Sequence, residues 1–439
     1  LTADLRQYQH EGVAFTPAQP AWLMRFAMQY PDAPLRVPGL VRGDLDPLNP
    51  NSKVCCLGTM LISAFDSMKG EIGRLFRGRK LPPGARLIID SGGKSIQDTI
   101  YLPSIEEAGE IMRFQASVGT SAMTLDAPTA GIEKRINPAL RSYDDCLAIT
   151  LAYVAEYDRL RGVLSNADRV NWLNVVQGRT HAEVMRWYDA VKVYPFSNWA
   201  IAGGRRTKYG SAVLPLLLQM LDDRQLDHTK HIHFLGVGSL GAAVAKTAIL
   251  DALRTVLGRQ DLIVTCDDSV SATSSGKQRH LHMGAQLGHN IWRWEWSGMF
   301  DHADYAGSTA PFPSIASPLA RRVRVGDVCV WDDREHTWDE ESRVLLASHA
   351  AYVRVVGYIE AARRSRLYKD EAVEFMPEHL AGVRWAVMEI LKGGRPGAML
   401  KAWQAQLDDV NRPNLPREPG VSVHLPLRRA KLSVHPGTA

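Results

Sequence analysis

Leu87-Ile88-Ile89-Asp90-Ser91-Gly92-Gly93 is an apolar, β-branched run that stops abruptly on a carboxylate, a hydroxyl and two glycines. It reads as a buried strand followed by a tight turn that leaves polar groups at the strand's C-terminal end. The same grammar recurs downstream. Met123-Thr124-Leu125 ends on Asp126, Val175-Val176 on Gln177-Gly178, and Ala200-Ile201-Ala202 on Gly203-Gly204. Phe234-Leu235 ends on Gly236-Val237-Gly238, and Leu262-Ile263-Val264 leads to Asp267-Asp268. Val54-Cys55-Cys56-Leu57 supplies a further candidate strand upstream. Amphipathic stretches near 104–117, 142–161, 181–192, 211–223 and 240–257 are long enough to be crossover helices between parallel strands. Strand-helix units in unbroken succession predict an α/β chain folded as a (β/α)8 TIM barrel, whose strand C-terminal ends form one mouth. A doubly wound open sheet, gathering its ligands at a single switch point, is the architectural alternative.

The rest of the chain fits a globular reading. Of 439 residues, 45% are apolar and 23% charged, which excludes extended disorder, collagen-like and coiled-coil chains. Lys and Arg number 52 against 47 Asp and Glu, a net +5 that permits a polyanionic partner without requiring one. Five cysteines, two of them adjacent at Cys55-Cys56, do not make a disulfide framework and point to a reducing compartment, the cytoplasm. LTADLRQYQH at the start lacks an apolar signal core, and no window has the roughly 18 apolar residues of a membrane span. Beyond residue 325 the acidic, tryptophan-bearing VWDDREHTWDEE leads into helical periodicity near 343–366 and 371–392, then into a basic, proline-rich end. The expected organisation is a barrel over 1–324, a helical C-terminal subdomain over 325–412 and a tail over 413–439.

Asp90, Asp126 and Asp268 would converge on one mouth if the barrel is right, and convergent carboxylates can divide nucleophilic, proton-transfer and hydrogen-bonding roles. A strand-end aspartate taken alone is more often a helix cap or turn residue. The glycine pairs can offer main-chain amides to a base or phosphate, or serve ordinary tight turns. Gly236-Val237-Gly238-Ser239-Leu240-Gly241 lacks the spacing of a dinucleotide fingerprint, because its third glycine arrives too early.

In order and content these segments resemble the tRNA-guanine transglycosylase superfamily, which exchanges guanine for a 7-deazaguanine on a (β/α)8 barrel. Asp90-Ser91-Gly92-Gly93 looks like that family's Asp-Ser-Gly-Gly turn and Thr124-Leu125-Asp126 like its base-binding strand. Val175-Val176-Gln177-Gly178 looks like its Val-Gln-Gly strand and Ala200-Ile201-Ala202-Gly203-Gly204 like its Gly-Gly strand. Phe234-Leu235-Gly236-Val237-Gly238 is similar to its Leu-Met-Gly-Val-Gly run, and the stretch from Asp268 to Lys277 to the segment that opens on the nucleophile. The resemblance implies that Asp268 attacks C1′ to form a covalent glycosyl-enzyme, with Asp90 handling the proton. Ser91, Asp126, Gln177 and the Gly203-Gly204 backbone would bind the base. Asp267 is the rival nucleophile by a one-residue shift, and strand alternation, with Asp268 taken as inward, turns Asp267 to the opposite face.

Departures from the family pattern matter as much. Where the family has three zinc-binding cysteines and a histidine, this chain leaves Asp327, Cys329, Asp332 and His349, a donor set weaker for zinc than thiolates. The alternatives are a structural zinc on these residues and a metal-free subdomain held by packing. Ala272 and Ser274 stand where the tRNA enzymes have a proline and an anticodon-reading arginine, while Arg205, Arg206 and Lys208 add charge beside the pocket, with Lys277 beyond the nucleophile segment. These groups suit a phosphate backbone and equally a solvated surface. The pattern resembles most the divergent phage and bacterial branch that places 7-deazaguanines into DNA. The expected partners are then DNA, with tRNA as the alternative, and a free base such as 7-cyano-7-deazaguanine. A homodimer is a further possible partner arrangement, with the oligomeric state left open, and the compartment would be the host cytoplasm for a phage-encoded chain. Two other classes stay open: a non-catalytic nucleic-acid-binding subunit on the same scaffold, and an unrelated barrel glycosidase.

Overall fold

The computed structural model describes residues 5–6, 13–54, 56–202, 208–269, 281–298, 305–333, 337–367, 376–393 and 396–410. Eight parallel strands form one sheet: β1 (Ala14–Phe15), β2 (Thr59–Ser63), β3 (Arg86–Asp90), β4 (Ser121–Met123), β5 (Asn171–Val176), β6 (Asn198–Ile201), β7 (His231–Phe234) and β8 (Ile263–Cys266). Neighbours follow chain order from β2 to β8, and β1 pairs with β8. The remaining seam is joined just past β1, where the Gln19 amide donates to Leu61 O and the Leu61 amide to Pro17 O (2.8 and 3.1 Å). The architecture is a nearly closed (β/α)8 barrel, as the strand-helix succession predicts.

Helices ring this barrel: α1 (Ala21–Gln29), α2 (Gly70–Arg77), α3 (Ile105–Val118), α4 (Tyr143–Arg161), α5 (His181–Val191), α6 (Leu214–Asp222) and α7 (Leu240–Leu257). Their starts follow local chemistry. Ser104 and Glu107 form a reciprocal capping box on α3, and Ser142, Thr180 and Ser239 each accept an amide at the start of α4, α5 and α7. The long C-terminal helices α8 (Glu340–Leu367), α9 (Glu378–Lys392) and α10 (Pro396–Asp408) do not stand apart: their buried residues share one continuous apolar cluster with the barrel's helices. A hairpin of β9 (Leu281–Leu287) and β10 (Trp292–Ser297) lies between β8 and α8 in the chain.

Strand alternation divides the barrel residues cleanly. Ile62, Leu87, Ile89, Val176, Ile201, Phe234, Val264 and Cys266 belong to the outer cluster under the helices. Leu61, Ile88, Met123, Leu173, Val175 and Ala200 form a separate apolar layer inside the barrel. Continuing the inner phase by two residues leads from Ile88 to Asp90 and from Val175 to Gln177.

Two elements differ from the sequence reading. Val54-Cys55-Cys56-Leu57 is not the first barrel strand: Val54, Cys56 and Leu57 are buried, but the Leu57 amide donates to Pro47 O and Cys56 O accepts from Leu5, and the strand begins at Thr59. β1, with only two residues, is too short to carry a periodic signal. Among the described residues no helix is long and apolar enough to cross a membrane.

Trp187 of α5 shows how the helical ring is locked to the barrel. It is fully buried, donates its indole N–H to Val175 O at 2.9 Å, and meets Tyr143 of α4 edge-on at 5.9 Å. Trp187→Ala should cost ~3–5 kcal/mol, read as a lowered urea midpoint, because the cavity also orphans a strand carbonyl.

Candidate active site

Above the inner apolar layer, the strand ends enclose a cavity of about 1020 Å³. Asp90, Asp126, Gln177, Gly236 and Asp267 line it, with Lys94, Lys134, Arg179 and Arg343 at its walls. Asp90 ends β3 in the inner phase, and the Gly92 backbone hydrogen-bonds its carboxyl. Burial, then the nearby carboxylates of Asp126 and Asp267, push its pKa up to about 7. Asp126, past β4, is buried and raised to about 6 by desolvation, which hydrogen bonds from Gln177 and Ser91 partly offset. Gln177 Nε2 donates to Asp126 Oδ2 at 2.5 Å, the buried Ser91 Oγ lies 3.5 Å from Oδ1, and Thr129 Oγ1 lies 3.5 Å from Gln177 Oε1. Four of the expected residues, Asp90, Ser91, Asp126 and Gln177, thus come together.

Asp268 does not join them. Thr265 of β8 faces the barrel interior, where its hydroxyl meets both His231 and His233, whereas Val264 and Cys266 face the helices. Period two then places Asp267 inward and Asp268 outward. Asp267 Oδ1 receives the Gly236 amide at 2.8 Å and lies 3.1 Å from His233 Nε2. Asp268 is buried behind the barrel wall in an ion pair with Arg354 of α8. The two aspartates do face opposite ways, but a strand of this length shows no phase in sequence until an interior partner is known, so their expected order is reversed.

Arg354 is itself buried. It donates to Gly238 O at 2.9 Å, and its guanidinium lies 4.5 Å from the Trp294 ring centroid and 5.5 Å from that of Phe15. Gly238 has to be glycine, because a Cβ there would run into the Asp268 carboxylate. Gly236 adopts φ 71°, a conformation that glycine takes readily and that here accompanies its amide bond to Asp267. The sequence signal for Arg354 was a single cation within the apolar run Ala350-Ala351-Tyr352-Val353-Arg354-Val355-Val356. For the interior histidines it was their alternation in His231-Ile232-His233-Phe234, polar on one face and apolar on the other.

The zinc donors do not fit a metal. His349 is buried with both ring nitrogens engaged, Nδ1 by Ser317 Oγ at 2.8 Å and Nε2 by His282 O at 2.7 Å, and burial pushes its pKa down to about 4. Asp327 Oδ2 accepts the Arg324 amide in a short 3-10 turn, and burial raises the Cys329 thiol to about 12. Asp332 sits in a two-residue hairpin strand. Among the described residues no group of His, Cys, Asp or Glu is gathered to hold an ion.

Lys208 is exposed and borders a smaller cavity of about 260 Å³ next to Gly178 and Arg179. Gly203, Gly204, Arg205, Arg206, Lys277 and the tail over 413–439 lie outside the described residues. Comparison with protein-family models and with curated proteins finds no match to this chain.

Two predictions follow from this geometry. Arg354→Met leaves a buried carboxylate without its cation and should cost about 3–5 kcal/mol in urea unfolding, whereas Arg354→Met/Asp268→Asn should recover part of that loss. Asp90 binds its proton more tightly folded than unfolded, so its contribution to stability is complete below about pH 4 and is lost as pH rises through about 7. Asp90→Asn should therefore melt above the wild type at pH 8, with the gap closing towards pH 4.

Proposed function

We propose that this chain is a pentosyltransferase that exchanges guanine in DNA for a 7-deazaguanine through a covalent glycosyl-enzyme, with Asp267 as the nucleophile. One observation carries the reading. Three carboxyl groups from β3, β4 and β8 meet over one cavity, and their environments divide the labour that a double displacement requires. The ordered resemblance of the strand ends to guanine transglycosylases supplies the substrate class.

In the first displacement an Asp267 carboxylate oxygen attacks C1′ of the target nucleotide. The C1′–N9 bond breaks, its electron pair goes to guanine, and Asp90 delivers a proton to the departing base. In the second, the ionised Asp90 takes the N9 proton of the incoming 7-deazaguanine. The base nitrogen bonds C1′, and the ester to Asp267 opens with its electron pair returning to the carboxylate. A group with a pKa of about 7 suits both proton transfers. Asp126 and Gln177 stand together where a guanine edge presents its N1–H and amino donors. The target nucleotide has to leave its stack to reach the mouth.

The choice of DNA over tRNA rests on sequence: neither a proline nor an arginine occurs over 269–276, after either aspartate, where the tRNA enzymes have a proline and an anticodon-reading arginine, and the basic residues Arg205, Arg206 and Lys208 follow the Gly203-Gly204 pair. The deciding experiment combines mass spectrometry of nucleosides from DNA and tRNA of expressing cells with two single variants. Asp267→Asn should abolish incorporation and any trapped covalent adduct. Asp268→Asn should lower stability yet still exchange bases wherever it remains folded. The reverse result would return the nucleophile's role to Asp268, and modified base confined to one tRNA position would overturn DNA as the substrate.

A further inference from the structure

The barrel interior below the cavity holds a buried chain of polar groups that the exchange chemistry above leaves unused. Ser121 Oγ lies 3.0 Å from His231 Nδ1, and His231 Nε2 lies 2.6 Å from Thr265 Oγ1. Thr265 Oγ1 lies 2.6 Å from His233 Nδ1, and His233 Nε2 lies 3.1 Å from Asp267 Oδ1. Ser121, His231, Thr265 and His233 are all buried, and burial, with His233 and Arg86 nearby, holds His231 far below the usual histidine range.

We infer that His233 is the positioning residue for the Asp267 carboxylate, and that Ser121, His231 and Thr265 exist to fix its tautomer; the assignment rests on Asp267 as the nucleophile of the reaction proposed above. The protons can be placed by counting. A carboxylate only accepts, so His233 Nε2 carries its hydrogen and Nδ1 is bare. The single Thr265 proton then goes to His233 Nδ1, and the Thr265 oxygen accepts from His231 Nε2–H. That leaves His231 Nδ1 bare, to accept from Ser121. For neutral rings this is the one consistent direction, and it ends on the nucleophile. The two hydrogen bonds described for Asp267, from Gly236 N–H and His233 Nε2–H, both fall on Oδ1. Oδ2 is thereby set apart for C1′, and the same two donors receive the negative charge that returns when the ester opens.

The test compares His233→Phe, His233→Gln and the near-isosteric Thr265→Val in steady-state base exchange. His233→Phe should lower kcat about 100-fold with KM for nucleic acid and base unchanged. His233→Gln, whose amide nitrogen can reach the position of Nε2, should restore at least about tenfold of that loss. Thr265→Val should lower kcat by about tenfold without loss of fold. Folded His233→Phe within twofold of wild type, or His233→Gln no better than His233→Phe, would overturn the assignment. A second readout does not need activity: 15N spectra of histidine-labelled protein should show His231 and His233 as neutral Nε2–H tautomers, with His233 altered in Thr265→Val. A His233 imidazolium or Nδ1–H form would refute the chain even in an active enzyme. If wild-type protein exchanges no base while the Nε2–H tautomers are present, the reaction class falls and the positioning of Asp267 stands.

Discussion

The buried ion pair between Asp268 and Arg354 fixes which way the residues at the C-terminal end of β8 face. Adjacent residues at a strand end cannot face the same way, so an outward Asp268 dictates an inward Asp267. The pair lies at the barrel's seam: the Thr16 amide donates to Cys266 O and the Ala18 amide to Asp268 O, beside the contacts that carry β1 on to β2. Two charges withdrawn from water are costly unless their remaining bonds are met; Arg354 also serves Gly238 O and stacks near Trp294, but its buried Nε has no hydrogen-bond partner among the described residues. Such a pair acts more as a specifier of geometry than as a source of net stability.

The C-terminal helix α8 therefore belongs to the site, with Arg343 at the cavity wall and Arg354 behind it. The turn Gly236-Val237-Gly238 has two carbonyls held from behind by cations: Val237 O by Lys246 of α7 and Gly238 O by Arg354 of α8. Lys246 is fully buried, its pKa lowered by desolvation, and it also reaches the Tyr358 hydroxyl of α8 at 3.3 Å. With its carbonyls anchored outward, the turn presents the Gly236 amide inward to Asp267. The Gly236 contact with Asp267 thus depends on residues from two helices on the far side of the wall, which is the precision that a site built on rigid elements requires.

Much of this was legible in the sequence because a barrel writes its active end into strand termini. Asp90, Asp126 and Gln177 were recognisable as carboxylate or amide groups ending apolar runs, and α7 was readable from Leu240 to Leu257 because its apolar pattern persists for several turns. What could not be read was phase and distance. Leu262-Ile263-Val264-Thr265-Cys266-Asp267-Asp268 has apolar residues on both faces, since both faces of this strand are buried, and only the contacts of Thr265 with two histidines reveal which side is inside. His349 stands where the resemblance places the family's zinc-binding histidine, yet its bonds to Ser317 and His282 O depend on chain segments 32 and 67 residues away. Arg354 and Asp268, 86 residues apart, have the same character: a cation inside an apolar helix signals a buried partner without naming it.

Three carboxyl groups around one cavity pose an electrostatic problem that the barrel resolves by giving each a different set of donors. Full ionisation of all three would place like charges together in a poorly solvated space, so part of the set must hold protons near neutral pH. Asp90, raised to about 7 by burial and then by its acidic neighbours, is the one of these groups that exchanges a proton most readily near neutral pH. Asp126 shares its oxygens with Gln177 and Ser91, which moderates the effect of burial and holds the carboxyl in place at the cavity. Asp267 has the Gly236 amide and a histidine at the end of a buried relay on a single oxygen. In the proposed exchange, a carboxylate so held would not need to reorganise as charge leaves it and returns, because the donors are already aimed where the charge would be. The interior of this barrel thus pairs an apolar layer drawn from β2 to β6 with a polar chain that runs from Ser121 of β4 through His231, Thr265 and His233 to Asp267.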